Sequence, residues 1–327
     1  MPTPDRHAQA RLPTRERGAG AHAATPDRDA PAVAPQRAAF GHAALLGLLR
    51  RLPLHALSRA AGRAAAWRLP SPLRAAACRA FARAVGADLS EVRDPLDSFD
   101  SLQAFFTRAL APGARPVDPA PEALVAPCDG AWGEAGRIEA GRLVQVKGQT
   151  YSLADLLGDA AVAERFEGGD FATFYLSPRD YHRFHLPCAA RVRRAVYLPG
   201  SLWPVNAVGL RGVPGLFAGN ERICAFFELD DGGDAGEQLA IAAVGATLVG
   251  KIRLRFDALS TNEGGGQAVW REYPDPPRFA KGEEWGHFEF GSTLVLAAAP
   301  GALAIEAAPA GAPLRLGERI GSLLSRP

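Results

Sequence analysis

The sequence predicts an α+β protein: an antiparallel, β-rich core of sandwich or barrel-like form, preceded by short amphipathic helices. From about Leu124 onward, short apolar runs alternate with Gly/Asp and Gly/Pro turns such as Asp230-Asp231-Gly232-Gly233 and Gly264-Gly265-Gly266. Ahead of them, Pro53, Pro70 and Pro72 divide a stretch rich in Leu and Arg into lengths suited to short helices. No run reaches the roughly 18 apolar residues of a membrane-spanning helix. The closest, Leu294 to Ile305, is broken by Pro300-Gly301 and reads as two strands joined by a turn.

Residues 1–38, rich in Pro, Ala, Arg and Asp and lacking an apolar h-region, read as a disordered tail and not as a secretory signal. Residues 39–87 form the basic helical segment. Between Phe40 and Ala87 lie eight arginines and no acidic residue. Arg59 and Arg63, and again Arg79 and Arg83, are four apart and share a helical face, interleaved with Leu57, Trp67, Leu73 and Phe81. Cationic amphipathic helices of this kind lie in a bilayer interface and meet anionic headgroups. Equally, such helices can pack on a core and leave their arginines solvated.

Residues 88–327 form the main domain. Strands are expected over Leu143 to Val146, Phe171 to Leu176, Ala189 to Tyr197, Ile223 to Leu229, Gln238 to Val244, Ile252 to Phe256 and on both sides of Pro300, with a helical insertion over Leu153 to Phe166. A hydrophobic content of 47% in 327 residues fills a sizeable core. The net charge of +2 carries no nucleic-acid footprint. Cys78, Cys128, Cys188 and Cys224 lie far apart without metal-ligand spacing, and are assigned packing roles.

Two segments carry candidate chemistry. In KGEEWGHFEFGSTLVL, 281–296, Gly286, Phe288 and Phe290 alternate with His287 and Glu289, and Gly291-Ser292 interrupts and bends the strand. A serine hydroxyl can attack the carbonyl of the glycine before it when a base is near and the backbone is strained. The second segment, Tyr181-His182-Arg183-Phe184-His185, holds two histidines able to take a proton from serine and return it. A carboxylate would fix the ring tautomer.

An ordered series of strings resembles the phosphatidylserine decarboxylases, a family of pyruvoyl enzymes. The strings are SLQAFFTRAL (101–110), APCDGAWGEAGRI (126–138), KGQTYSL (147–153), YLSPRDYHRFHLP (175–187), LWPVN (202–206), GLFAGNERI (215–223), VGATLVGKI (244–252) and KGEEWGHFEFGST (281–293). The resemblance implies that Ser292 attacks the Gly291 carbonyl, that His185 is its base and that Asp129 orients the histidine. Cleavage would then leave a large fragment ending at Gly291 and a small one, 292–327, capped by a pyruvoyl group made from Ser292. That ketone would hold the substrate amine as a Schiff base, with His182 as proton donor and with neither metal nor pyridoxal phosphate needed. It further implies phosphatidylserine as substrate, phosphatidylethanolamine and CO2 as products, and pairing as a homodimer. The arginine-rich helices favour a bilayer lipid and, with the composition, an anionic phospholipid membrane as partner and a peripheral location on the cytoplasmic face of a bacterial inner membrane. Phe290, Leu248 and Lys251 depart from the residues usual at their positions, which bears on pocket shape.

On residues alone two other readings stand beside this one. A serine hydrolase could use Asp129, His185 and Ser292 intermolecularly, although Phe290-Gly291-Ser292-Thr293-Leu294 lacks the second glycine of a nucleophile elbow. A non-catalytic, membrane-binding β protein could hold the same residues only as packing.

Overall fold

A computed structural model describes residue 47 and residues 51–146, 148–230, 236–248, 251–263, 266–291 and 293–324. The tail 1–38, the turn residues 231–235 and 264–265, and Ser292 itself lie outside the described residues. His42–Pro327 forms one compact unit.

A nine-stranded antiparallel sheet organises this unit. Its spatial order is Val269–Glu272, Ala190–Leu198, Arg222–Leu229, Leu239–Val244, Thr293–Ala298, Asp170–Tyr175, Gly130–Arg137 and Pro313–Leu314, with Arg278–Phe279 also paired to Ala190–Leu198. The central strands are apolar on both faces, because both faces are covered. In Thr293–Ala298, Leu294, Leu296 and Ala298 enter one core while Val295 and Ala297 enter the other. The first core is closed by two three-stranded sheets. One is Ile252–Leu254, Glu284–Phe288 and Arg183–His185; the other is Ala123–Val125, Arg319–Leu323 and Leu303–Ile305. The second core is closed by the hairpin Arg142–Val146 and Gln149–Ser152 and by short helices.

The molecule is thus an α+β sandwich and not a closed barrel, since the large sheet ends on different strands at its two edges. The expected helix over Leu153 to Phe166 is two helices. Gly158 takes φ +70° and ends the first, Leu153–Leu157, and the Asp159 side chain caps the second, Ala160–Arg165. The strand expected to reach Phe256 ends at Leu254.

Among the described residues, two well-defined helices precede the core. In α1, Leu54–Ala65, the buried Leu54, Ser58 and Ala65 face inward. His55 Nε2 bonds to the Gly200 carbonyl at 2.9 Å, and Ser58 Oγ accepts from Leu248 N at 3.0 Å. In α2, Ser71–Val85, Cys78 and Ala82 pack against Phe99 and Phe105, the latter from α3, Leu102–Phe106. These helices pack on the core and also leave Leu52, Leu57, Leu73 and Trp67 exposed, Trp67 at 76%. Arg63, Arg79 and Arg83 are exposed and Arg59 is half-buried; none pairs with a described carboxylate.

Candidate active site

The path of the chain around residue 291 follows from sheet membership. Glu284–Phe288 belongs to the small sheet and Thr293–Ala298 lies in the middle of the large one. The Gly291-Ser292 peptide is therefore the hand-over between two sheets, which is why a strand pattern breaks there. Phe290, half-buried, lies beyond the strand that its alternation suggested and stacks on Phe106 at 4.5 Å between ring centroids.

Pairing brings His182 to the same point. Arg183–His185 runs antiparallel to Glu284–Phe288, and Phe288 N donates to the His182 carbonyl at 2.9 Å. On the other side Tyr175 pairs with Thr293, which carries the next carbonyl, Leu176 O, up to Gly291. A Cβ added at Gly291 would lie 3.4 Å from both His182 Nε2 and Leu176 O, at van der Waals contact, so this glycine lies directly beside the imidazole. Its φ lies outside the left-handed range, so the backbone strain expected there is not seen in that angle.

His182 is fully buried. Its Nδ1 donates to the Asp180 carbonyl at 2.8 Å, which leaves the lone pair on Nε2, and that atom has no hydrogen-bond partner. Burial pushes its pKa down to about 3, opposed by the Asp180 bond and aided by Arg108. Phe106 covers the ring, with centroids 3.9 Å apart. The group is a buried, neutral imidazole whose unpartnered Nε2 lies beside Gly291.

Asp129 and His185 are neighbours through the backbone, His185 N donating to Pro127 O at 2.8 Å, but their side chains bond elsewhere. His185 Nδ1 donates to Gly282 O at 2.9 Å, and its Nε2 then accepts from Tyr181 Oη at 3.2 Å. Burial lowers the His185 pKa, and the Gly282 bond opposes it. The Asp129 carboxylate is gripped by Arg115 through Nε (2.8 Å) and Nη2 (2.6 Å) and accepts from Leu316 N at 2.9 Å. Arg115 also holds Glu91 at 2.7 Å. The structure therefore brings His182 to Gly291, and does not join Asp129 to His185 by a hydrogen bond.

Gly130 explains how Asp129 is held. Its φ is +148°, and a Cβ there would stand 2.0 Å from Tyr175 O, so only glycine lets this strand close on its neighbour. Arg115, Tyr181 and Phe106 went unassigned in the sequence: an arginine among so many carries no mark of its partner, and an apolar ring gives no sign that it covers a histidine. The four cysteines are buried and free; burial raises the thiols, Cys188 to about 12 and Cys224 to about 11.

A cavity of about 590 Å³ opens beside Gly291. Phe290, Leu176, Val205 and Leu248 line it, and Phe81 and Val85 of α2 close its far wall. Leu248 thus stands in the wall itself, so one of the departures noted above shapes the pocket.

Residues 102–322 match the family model described as phosphatidylserine decarboxylase. Three relatives carry the name phosphatidylserine decarboxylase proenzyme. That of Anaeromyxobacter sp. (strain K) is 47% identical over 279 residues, 84% of this chain and 97% of the relative. That of Shewanella baltica (strain OS155) is 43% identical over 286 residues, 85% and 96% of the two chains. That of Brevibacillus brevis (strain 47) is 39% identical over 258 residues, 79% and 89%. The sandwich, with an apolar cavity ending at Gly291 and a buried imidazole beside that glycine, is an enzyme of the decarboxylase class. The chain belongs to the phosphatidylserine decarboxylase family.

Proposed function

We propose that this enzyme converts phosphatidylserine to phosphatidylethanolamine and CO2 after cutting itself between Gly291 and Ser292, the residue that becomes its pyruvoyl group. One observation carries the reading: the buried His182 Nε2, without a partner, faces the glycine of the scissile peptide. An unpaired ring nitrogen in a dry site is costly unless it has chemistry to do. The name proenzyme borne by the relatives supports maturation by processing.

In the cleavage step the Ser292 hydroxyl attacks the Gly291 carbonyl, turning amide into ester. Elimination of that ester frees the Gly291 carboxylate and leaves a dehydroalanine at 292, whose imine tautomer is hydrolysed by water to the ketone with release of ammonia. Glycine leaves the approach open. His185 is the proposed base, with Asp129 acting on it through charge. A second reading has its own support, since the unpartnered His182 Nε2 lies beside Gly291 while His185 and Asp129 are engaged elsewhere.

A pyruvoyl group at 292 would supply an electrophilic carbonyl for the substrate amine and a sink for the electron pair released with CO2. The surroundings fit it: the preceding residue, Gly291, and Leu176 line the apolar cavity, and the unpartnered His182 Nε2 lies beside Gly291. His182 Nε2 takes the proton that the substrate ammonium sheds and returns it to the carbon that has lost CO2. Phe106 and Phe290 keep water from that carbon. The lipid chains lie against Val205, Leu248, Phe81 and Val85, and the exposed Trp67, Leu73 and arginines of the helical segment seat the enzyme on an anionic bilayer.

A gel with three variants tests this. Wild type should resolve into fragments 1–291 and 292–327, and Ser292→Ala should stay whole. His185→Ala should also stay whole, whereas His182→Ala should be cut but fail to decarboxylate. Cleavage of His185→Ala together with an intact His182→Ala would establish the second reading of the base. An uncut, active wild type would overturn the proposal.

A further inference from the structure

Arg108, two residues beyond α3, is a cation that the steps above do not use. It is 4% exposed, and its guanidinium lies 5.2 Å from the Phe105 ring centroid. Nη2 donates to the carbonyls of Arg179 at 3.2 Å and Asp180 at 3.5 Å. Nε and Nη1 are buried with no acceptor. No described carboxylate pairs with it, and those nearby are spoken for. Asp129 and Glu91 are held by Arg115, and Asp180 accepts from the amide and hydroxyl of Ser177 at 2.7 and 2.8 Å. Burial without a counter-ion disfavours the charged form. Such a group calls for an anionic oxygen ligand.

Its position suits one. Arg108 lines a cavity of about 250 Å³ with Arg115, Arg179 and Arg315 and with the carboxylates of Asp88, Glu91, Asp129 and Asp180. Of these Asp88 accepts from Ser90, so Arg108 is the lining cation without a described carboxylate of its own. This cavity shares Gly130, Arg179 and Asp180 with the apolar one that ends at Gly291. The Asp180 carbonyl accepts from both Arg108 and His182, so a single peptide oxygen links the guanidinium to the imidazole. In a serine lipid, only a few bonds separate the amine from the phosphodiester. With the amine at 292 and the chains in the apolar cavity, the phosphate falls towards this polar one.

We infer that Arg108 and the polar cavity form the headgroup subsite of the lipid, binding its phosphodiester. The inference rests on the decarboxylase reading. The carboxylate is the poorer occupant for chemical reasons: pairing it with arginine would stabilise the ground state and hold back the electrons that must leave with CO2. The phosphodiester takes no part in bond breaking, so pairing it binds substrate without taxing the chemical step.

The test compares two soluble substrates on mature enzyme: dihexanoyl phosphatidylserine and its neutral methyl phosphotriester. Wild type should favour the charged diester at least about tenfold in kcat/KM, mainly through KM, as expected for a charge-assisted bond. In Arg108→Gln that preference should shrink towards unity, and Arg108→Lys should restore part of it. Arg108 acting only as a structural prop would slow both substrates alike and leave the ratio unchanged, which overturns the inference. If neither variant matures, the wild-type ratio decides, and equal use of the two substrates overturns it. Inorganic phosphate should compete weakly with the diester in wild type and not in Arg108→Gln. Phosphate binding that depends on Arg108 without affecting lipid KM would reveal a free-phosphate site and overturn the headgroup assignment. Turnover of neither substrate by wild type would sink the decarboxylase reading, whereas equal turnover of both sinks only the role of Arg108.

Discussion

Acidification should destabilise this enzyme through His182 before its carboxylates titrate. The ring is fully buried, and its pKa falls from 6.5 to about 3, chiefly by burial. The folded state resists the proton while the unfolded chain accepts it. Stability is therefore complete above the ordinary imidazole value and is lost as pH falls from there towards the folded value. At pH 5 the unfolded ring lies about 1.5 pH units below its ordinary pKa, which removes about 2 kcal/mol from folding. His287, lowered to about 4, acts in the same direction, so the His182 share must be read as a difference. Urea unfolding of Ser292→Ala, a single uncut chain, at pH 7.5 and pH 5 gives the parent slope, and the same pair of curves for Ser292→Ala with His182→Gln gives the reference. The parent should lose about 2 kcal/mol more than the reference. Equal losses would refute a buried neutral imidazole.

The ion pair under Asp129 should be worth more than a surface bridge, its side chains being 9% and 8% exposed. Arg115→Met should cost about 3 to 5 kcal/mol in the same assay, and a loss near zero would contradict a buried charge left unpaired. Gly130→Ala should cost about 3 kcal/mol or more, since its methyl meets Tyr175 O; a stable, processed Gly130→Ala would show that the strand can shift. Replacing Arg59, Arg63, Arg79 and Arg83 with glutamate should weaken sedimentation with anionic vesicles at least about a hundredfold and leave cleavage intact. Unchanged sedimentation would remove the docking role.

The five central strands of the large sheet are readable as apolar runs bounded by turns, whereas Gly130–Arg137, Val269–Glu272, Arg278–Phe279 and Pro313–Leu314, short or mixed in polarity, are not. The Gly-Ser peptide and the two histidines stand out as residue types with chemistry in them. What stayed hidden depends on contacts distant in sequence. Leu153 to Phe166 carries a continuous helical pattern, and the left-handed Gly158 with the Asp159 cap divides it. The alternation over 281–296 read as one bent strand, because nothing local tells that Phe288 and Thr293 join different sheets. Asp129 looked free to orient a histidine until Arg115, fourteen residues earlier, was found on it. Arg108 sat inside a recognised string, yet its importance lies in the absence of a counter-charge, which no sequence pattern records.

Intact mass of the purified protein tests the central claim most directly. The account predicts a small fragment spanning 292–327, 36 residues, whose first residue carries a ketone in place of the serine amine and alcohol and reacts with hydrazine. A single uncut chain of 327 residues that retains serine at 292 and still decarboxylates phosphatidylserine would contradict it.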